Sequence, residues 1–127
     1  MTTIAVAVVL RHGHVLVGRR AADAVDAGGL DEFPGGKVGP DESAAAAAVR
    51  ECLEEAGVAI RVDALLDHAT GTSANGPIDI LFFVATPLID REEPLVPFAW
   101  VPIEELAARS FPPANARVLA RLAQGGS

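Results

Sequence analysis

A single cysteine, Cys52, stands in the 127 residues, so no intramolecular disulfide framework can be drawn, and the chain fits a reducing compartment. Basic residues are scarce too: ten Lys and Arg face seventeen Asp and Glu, a formal net charge of −7 with a pI near 4.8. That balance speaks against a surface for the phosphate backbone of a long DNA or RNA. A small anionic ligand remains compatible with it, because a bound divalent cation reverses the local sign of an acidic pocket. Long apolar runs are also missing. The N-terminal segment lacks a basic start and continues for only about seven apolar residues, short of a signal peptide or a membrane span. The expectation is a cytoplasmic protein with no membrane partner. Internal repeats are absent.

Half of the residues are hydrophobic, enough to bury a sizeable core at this length, and one compact domain over residues 1–127 is expected. Residues 4–10 form a nearly unbroken β-favouring run and residues 15–18 another, with Arg11-His12-Gly13-His14 supplying a turn between them. The seventeen residues 20–36 are rich in Ala, Asp and Gly and end in Phe33-Pro34-Gly35-Gly36, which breaks regular structure and suits an ordered functional loop. Asp41 or Ser43 can cap a helix whose interior is the alanine run 44–48, and Gly57 is placed to end it. Residues 58–66 and 78–85 read as strands separated by the Gly/Ser/Asn-rich stretch 71–77, and a short strand surrounds residues 98–101. Residues 103–108 and 114–122 have helical spacing, and Gly125-Gly126-Ser127 reads as a frayed end.

The chemistry gathers on the first helix. Glu51 and Glu55 are four residues apart and Glu51 and Glu54 three, so their side chains share one helix face. Like charges at that spacing cost a helix a few tenths of a kcal/mol per pair, so the arrangement needs either free solvation or a compensating cation. Arg50 can pair with Glu54 one turn on, but one guanidinium does not neutralise three carboxylates. Hard oxygen ligands clustered in this way suit Mg²⁺, with Mn²⁺ as a substitute. Glu42 adds a carboxylate at the helix start, where the dipole favours it, behind a glycine loop whose backbone can approach a ligand closely.

Gly36, Glu42, Arg50-Glu51-Cys52, Glu54-Glu55 and Gly57-Val58, in that spacing over twenty-three positions, resemble the Nudix box. Cys52 stands where the family usually has a bulky aliphatic, and a buried cysteine is an acceptable hydrophobic substitute. Arg19-Arg20-Ala21-Ala22-Asp23-Ala24, Glu32-Phe33-Pro34-Gly35-Gly36-Lys37-Val38, Phe111-Pro112-Pro113-Ala114-Asn115 and Trp100-Val101 with Glu104-Glu105-Leu106 look like segments of the MutT-like branch, so the similarity touches most of the chain in order.

The resemblance implies an α/β (α+β) fold, a Nudix-type α/β/α sandwich with a mixed β-sheet. It implies a diphosphohydrolase in which Glu51, Glu54 and Glu55 ligate Mg²⁺ with a backbone carbonyl at Gly36, Arg50 orients a glutamate and Glu42 contributes at the edge. Relatives often use a further acidic residue before the Trp-Val pair; here nothing acidic lies within six residues of Trp100, and Glu93, then Glu92, are the nearest candidates. Without them Glu54 is the favoured base. On the substrate side it implies Asn115 as a reader of the base, Phe33 as an apolar wall, Arg20 as a nearby contact and Lys37 near a phosphate. Asp31 stands where many relatives have Trp, and residues 74–77 lack the aromatic and Arg of the MutT branch, so the resemblance leaves 8-oxoguanine specificity open. His12, His14 and His68 have no ligand spacing and are assigned to turn or surface.

The expected substrate is a small nucleotide, a nucleoside triphosphate with an ordinary, oxidised or otherwise modified base, cut to the monophosphate and pyrophosphate. A nucleotide sugar or dinucleotide is the alternative within the enzyme class, although the chain has no large sugar-binding insertion. A nucleotide-sensing module without turnover is the alternative outside it. The spacing leaves the choice of monomer or homodimer open.

Overall fold

The computed structural model describes residues 2–23, 28–90 and 93–125; Glu92, Ala24, Gly126 and Ser127 lie outside them. Strands β1 (Thr2–Arg11) and β2 (His14–Arg19) form the expected hairpin, turned by His12 at φ 48° and Gly13 at φ 76°. Two left-handed residues in a two-residue loop match the twist of the strands they join. The segment 20–36 is not all loop. It contains two short strands, β3 (Asp31–Glu32) and β4 (Gly35–Lys37), because Asp31 pairs with Arg19 and Gly35 with Val6. Helix α1 (Ala44–Ala56) is capped by Ser43, whose hydroxyl accepts the Ala46 N–H at 3.1 Å, and ends on Gly57 at φ 70°.

Strands β5 (Ile60–Ser73) and β6 (Gly76–Pro87) are longer than their composition predicts. The Gly/Ser/Asn-rich stretch was expected to separate them, yet pairing continues to Ser73 opposite Gly76 and only Ala74 and Asn75 form the turn. Cross-strand partners on a long ladder override weak local β propensity. Strand β7 (Ala99–Pro102) follows, then two 3₁₀ segments, Ile103–Ala108 and Pro113–Asn115, and helix α2 (Ala116–Gly125). The helical spacing at 103–108 is therefore met by the tighter 3₁₀ form.

The strands make one mixed sheet in the order β3-β2-β1-β6-β5, with β4 on β1 and β7 on β2. β1 runs parallel to β6 from Thr2 opposite Ile78 to Val9 opposite Ala85, and its other edge is divided between β4 at Ile4–Val6 and β2 at Leu10–Arg11. Alternation along β1 supplies two cores. Ala5, Ala7 and Val9 meet Ala47, Ala48, Cys52 and Ala56 of α1, while Val6 and Val8 belong with Phe82, Val118 and Leu122 on the α2 side. Helices on both faces explain why β1 reads as a continuous apolar run. This is the expected α/β/α sandwich, and Cys52 is wholly buried in it as a small core residue.

Candidate active site

Alanines bury one face of α1 and turn the opposite face, with Arg50, Glu51, Glu54 and Glu55, toward the loop that enters β4. The Glu51 carboxylate lies directly over Gly36, where a Cβ would fall inside it. Glu55 Oε1 accepts the Gly35 N–H at 3.0 Å. Two of the box glutamates are thus set against the two glycines: Gly36 leaves room for the Glu51 carboxylate, and Gly35 leaves room for the β1 backbone beside it.

Arg50 is the hub of the remainder. Its guanidinium donates to Glu42 at 2.6 and 3.1 Å, to Glu51 and Glu54 at 3.2 Å each, and to the Lys37 carbonyl at 3.1 Å. The two bonds from Arg50, together with the Gly39 N–H at 2.8 Å, hold the Glu42 carboxyl down at about 2, and Glu42, with Glu51 and Glu54 behind it, raises Arg50. Glu54 is the most open carboxylate of the set, with 57% of its side chain exposed.

Charge is not balanced at the glycine end. Partial burial is the main cause that pushes Glu51 up, and Glu54 adds to it against the pull of Arg50. Burial of its carboxylate pushes Glu55 up to about 7, helped by Glu32 and Glu51 and opposed by the Gly35 N–H. Glu55 as a whole remains exposed, so the effect belongs to its tip, which leans on the loop. Among the described residues, no three acidic, His or Cys side chains already converge at ligand spacing. Arg50 and Gly35 hold them instead. Crowded carboxylates with raised affinity for protons are a donor set that a hard divalent cation fits.

Gly35 and Gly36 also form part of the wall of a cleft of about 630 Å³, within the usual range for a small-molecule site. Ile4, Val6, Ile78, Ile80 and Phe82 supply apolar surface from β1 and β6, and Arg20, Glu32 and Lys37 supply charge near the glycines. Arg20 donates to Glu32 at 3.2 Å. Burial raises the Glu32 carboxyl, with Arg20 opposing. Phe33, 4% exposed, borders the cleft and stacks on Phe111 with ring centroids 4.9 Å apart. Asn115 borders it as well, from the 3₁₀ turn before α2, where its side-chain amide donates to the Pro112 carbonyl at 3.1 Å.

All four residues expected on the substrate side, Arg20, Phe33, Lys37 and Asn115, therefore line one cleft. Glu93 does not line it. It is exposed, although its loop docks on α1 through the Leu95 N–H, which donates to the Ala56 carbonyl at 2.8 Å. Sequence reasoning missed Glu32 as a site residue, and with it the wall formed by Thr70, Thr72, Ser73 and Asn75. The polar character of that wall was visible, but its glycines made it read as a connection. His12 sits in the β1–β2 turn with its ring 2.9 Å from Asp90, and His68 on β5 faces Asp79 at 3.1 Å, both outside the cleft.

A carboxylate-bearing helix over a Gly-Gly strand, at the mouth of a cleft in an α/β/α sandwich, defines the class. Residues 1–122 match the NUDIX domain family, and the chain belongs to it: a hydrolase of phosphoric anhydride bonds, in a family that needs a divalent cation. Among characterised relatives, it is 34% identical over 117 residues to the 8-oxo-dGTP diphosphatase of Escherichia coli (strain K12), covering 87% of each chain. It is 47% identical over 58 residues to the CTP pyrophosphohydrolase of the same organism, a match that spans 46% of this chain and 42% of that one. The solution structure of the E. coli ORF135 protein superposes with a TM-score of 0.76 at 28% identity, covering 98% of this chain and 89% of that one. The MutT protein of Methanosarcina mazei Go1 gives 0.81 at 21% identity over 99% and 95%, a likeness of fold. No helix among the described residues is long and apolar enough to cross a membrane.

Proposed function

We propose that the chain is a Mg²⁺-dependent diphosphohydrolase that cuts a nucleoside triphosphate, with an ordinary or modified base, to the monophosphate and pyrophosphate. One observation carries the reading: Glu51 and Glu55 rest on Gly36 and Gly35, and those glycines open onto the cleft that Phe33 and Asn115 border. The names of both E. coli relatives specify nucleoside triphosphates, in support of that substrate class.

In this reading Glu51, Glu54 and Glu55, with the Gly36 carbonyl, hold the cation. When bound, it neutralises phosphate charge and acidifies the attacking water. Arg50 positions Glu51 and Glu54 and is itself braced by Glu42. Glu54, exposed and held by Arg50 beside Glu51, takes the proton of the water, and Glu93, an exposed loop residue, is left out of the set. Lys37 and Arg20 meet the phosphates where the glycines meet the cleft. Phe33 offers its ring to the base, and Asn115 has hydrogen-bonding capacity beyond its bond to Pro112. Residues 1–127 act as one domain, cytoplasmic, as monomer or homodimer.

A panel of ordinary and oxidised nucleoside triphosphates with Mg²⁺, read by pyrophosphate release, tests the proposal. Monophosphate and pyrophosphate from at least one of them are expected. Turnover confined to nucleotide sugars or dinucleotides overturns the substrate class, and nucleotide binding with no hydrolysis of any kind turns the protein into a sensor.

A further inference from the structure

Asp31 is the only charged residue among the described ones that is almost wholly buried, at 1% exposure, and it belongs to neither the carboxylate cluster nor the phosphate end of the cleft. Its Oδ1 accepts from Arg19 Nη2 and Arg109 Nη1, both at 3.3 Å, and its Oδ2 accepts the Ser110 N–H at 3.1 Å. Its own N–H donates to the Ser110 carbonyl at 2.8 Å. One residue thus ties together β2, β3 and the connection after the first 3₁₀ segment, across 79 positions of sequence. Neither Asp31 nor the two arginines border the cleft.

The chain neighbours of Asp31 and Ser110 give the arrangement its meaning. Two residues beyond Asp31 is Phe33, and immediately after Ser110 is Phe111, the ring on which Phe33 stacks. Phe111 leads into Pro112, Pro113 and the 3₁₀ turn that carries Asn115 into the cleft. A buried carboxylate is expensive to desolvate, and its attested use is to select one arrangement of the elements around it. Here the elements selected are the two that border the far end of the cleft.

We propose that Asp31 is a positioning residue for base recognition: a buried carboxylate clamp, shared by Arg19, Arg109 and Ser110, that sets the Phe33–Phe111 stack and Asn115 as the wall for a nucleobase. The inference rests on the reading of that end of the cleft as the nucleoside site. The clamp acts on the base wall, while Glu51 and Glu55 keep their own seats on Gly36 and Gly35; Arg20 and Glu32, next in the chain to Arg19 and Asp31, lie between the two ends.

The test uses Asp31→Asn, Arg109→Gln and Arg109→Lys in the full chain, with KM and kcat measured for a panel of nucleoside triphosphates. Asp31→Asn keeps an acceptor for Ser110 but turns a donor toward the arginines. Expected are a rise in KM of about tenfold for the preferred nucleotide, kcat within about twofold of wild type, and a kcat/KM ratio between preferred and poor bases that collapses toward unity. Arg109→Lys, which keeps the charge, restores part of the ratio. Amide exchange of Ser110 and Asn115 speeds up, while that of Gly35 and Gly36 does not. A lowered melting temperature with the base ratio intact, in either folded variant, overturns the inference and leaves Asp31 a purely structural ion. Arg109→Gln, on a partly exposed side chain, decides the matter by itself if Asp31→Asn does not fold. A wild type that hydrolyses triphosphates with no preference among bases instead overturns the nucleoside-site reading, and the clamp's role with it.

Discussion

Adding a methyl group at Gly35 and adding one at Gly36 should break the protein in two different ways. At Gly35 the new Cβ would lie 2.5 Å from the Ala5 carbonyl and 2.9 Å from Val6 Cα, both backbone atoms of β1 that cannot retreat without breaking the β1–β4 register. Overpacking of this kind costs about 3 kcal/mol. With an unfolding entropy of about 0.27 kcal/mol/K for a chain of this size, that lowers Tm by about 11 °C. At Gly36 the methyl would meet the carboxylate end of Glu51, which can swing away. The fold then loses about 1 kcal/mol or less, some 4 °C. Glu51, however, leaves its seat on the loop, and a displacement of about 1 Å at a reacting centre is worth about 10²-fold in rate. Gly35→Ala should therefore be the unstable variant, and Gly36→Ala the stable but inactive one. Differential scanning calorimetry and Mg²⁺-dependent pyrophosphate release measure the two effects. Wild-type turnover in Gly36→Ala, or equal Tm losses in both, would refute the placement of Glu51 over this loop as the functional geometry.

Glu54→Gln and Glu55→Gln should each lower pyrophosphate release by 10²-fold or more with folding intact, since both residues are exposed; unchanged turnover in both removes the carboxylates from the site. With chelator present, Glu55, raised to about 7, binds a proton more tightly folded than unfolded. The metal-free protein should therefore lose stability as pH rises from about 4.5 to about 7, and Glu55→Gln should gain Tm over wild type at pH 8 but not at pH 4.5. Solvent screening of an exposed residue limits the gain to about 1 kcal/mol, some 4 °C, and a gain of equal size at both pH values would contradict the assignment. Phe33→Leu should fold within about 1.5 kcal/mol of wild type and raise KM a few-fold through loss of stacking worth about 1 kcal/mol, visible in steady-state kinetics as a change in KM at constant kcat.

Local rules sufficed where one segment decides its own conformation. The alanine run and Gly57 mark α1, with its cap narrowed to Asp41 or Ser43 and taken by Ser43, and helical spacing alone brings Glu51, Glu54 and Glu55 to one face. Long-range pairing was less visible. Gly71 and Ser73 look like connection, yet they continue β5 because β6 lies alongside, and the cleft wall they form is a product of that ladder. Asp31 shows the same limit in another way. In sequence it is an acidic residue in a glycine-rich loop; its burial depends on Arg109 and Ser110, 78 and 79 positions away, which no local pattern connects to it.

The division of the interior by β1 has a consequence for how such a protein changes over generations. Helix α1 is seated in one core, on Ala5, Ala7 and Val9, while Phe33, Phe111 and Ala114 pack with the other, around Phe82 and Val118. Substitutions around Phe111 and Ala114 are absorbed on the α2 side of the sheet, whereas Phe33 packs on that side and leads straight into the Gly35-Gly36 loop on which Glu51 and Glu55 rest. On this frame, change in the α2 core is buffered from the alanine seat of α1, and the exposed point is the short run from Phe33 to Gly36, where the two faces of the sheet meet.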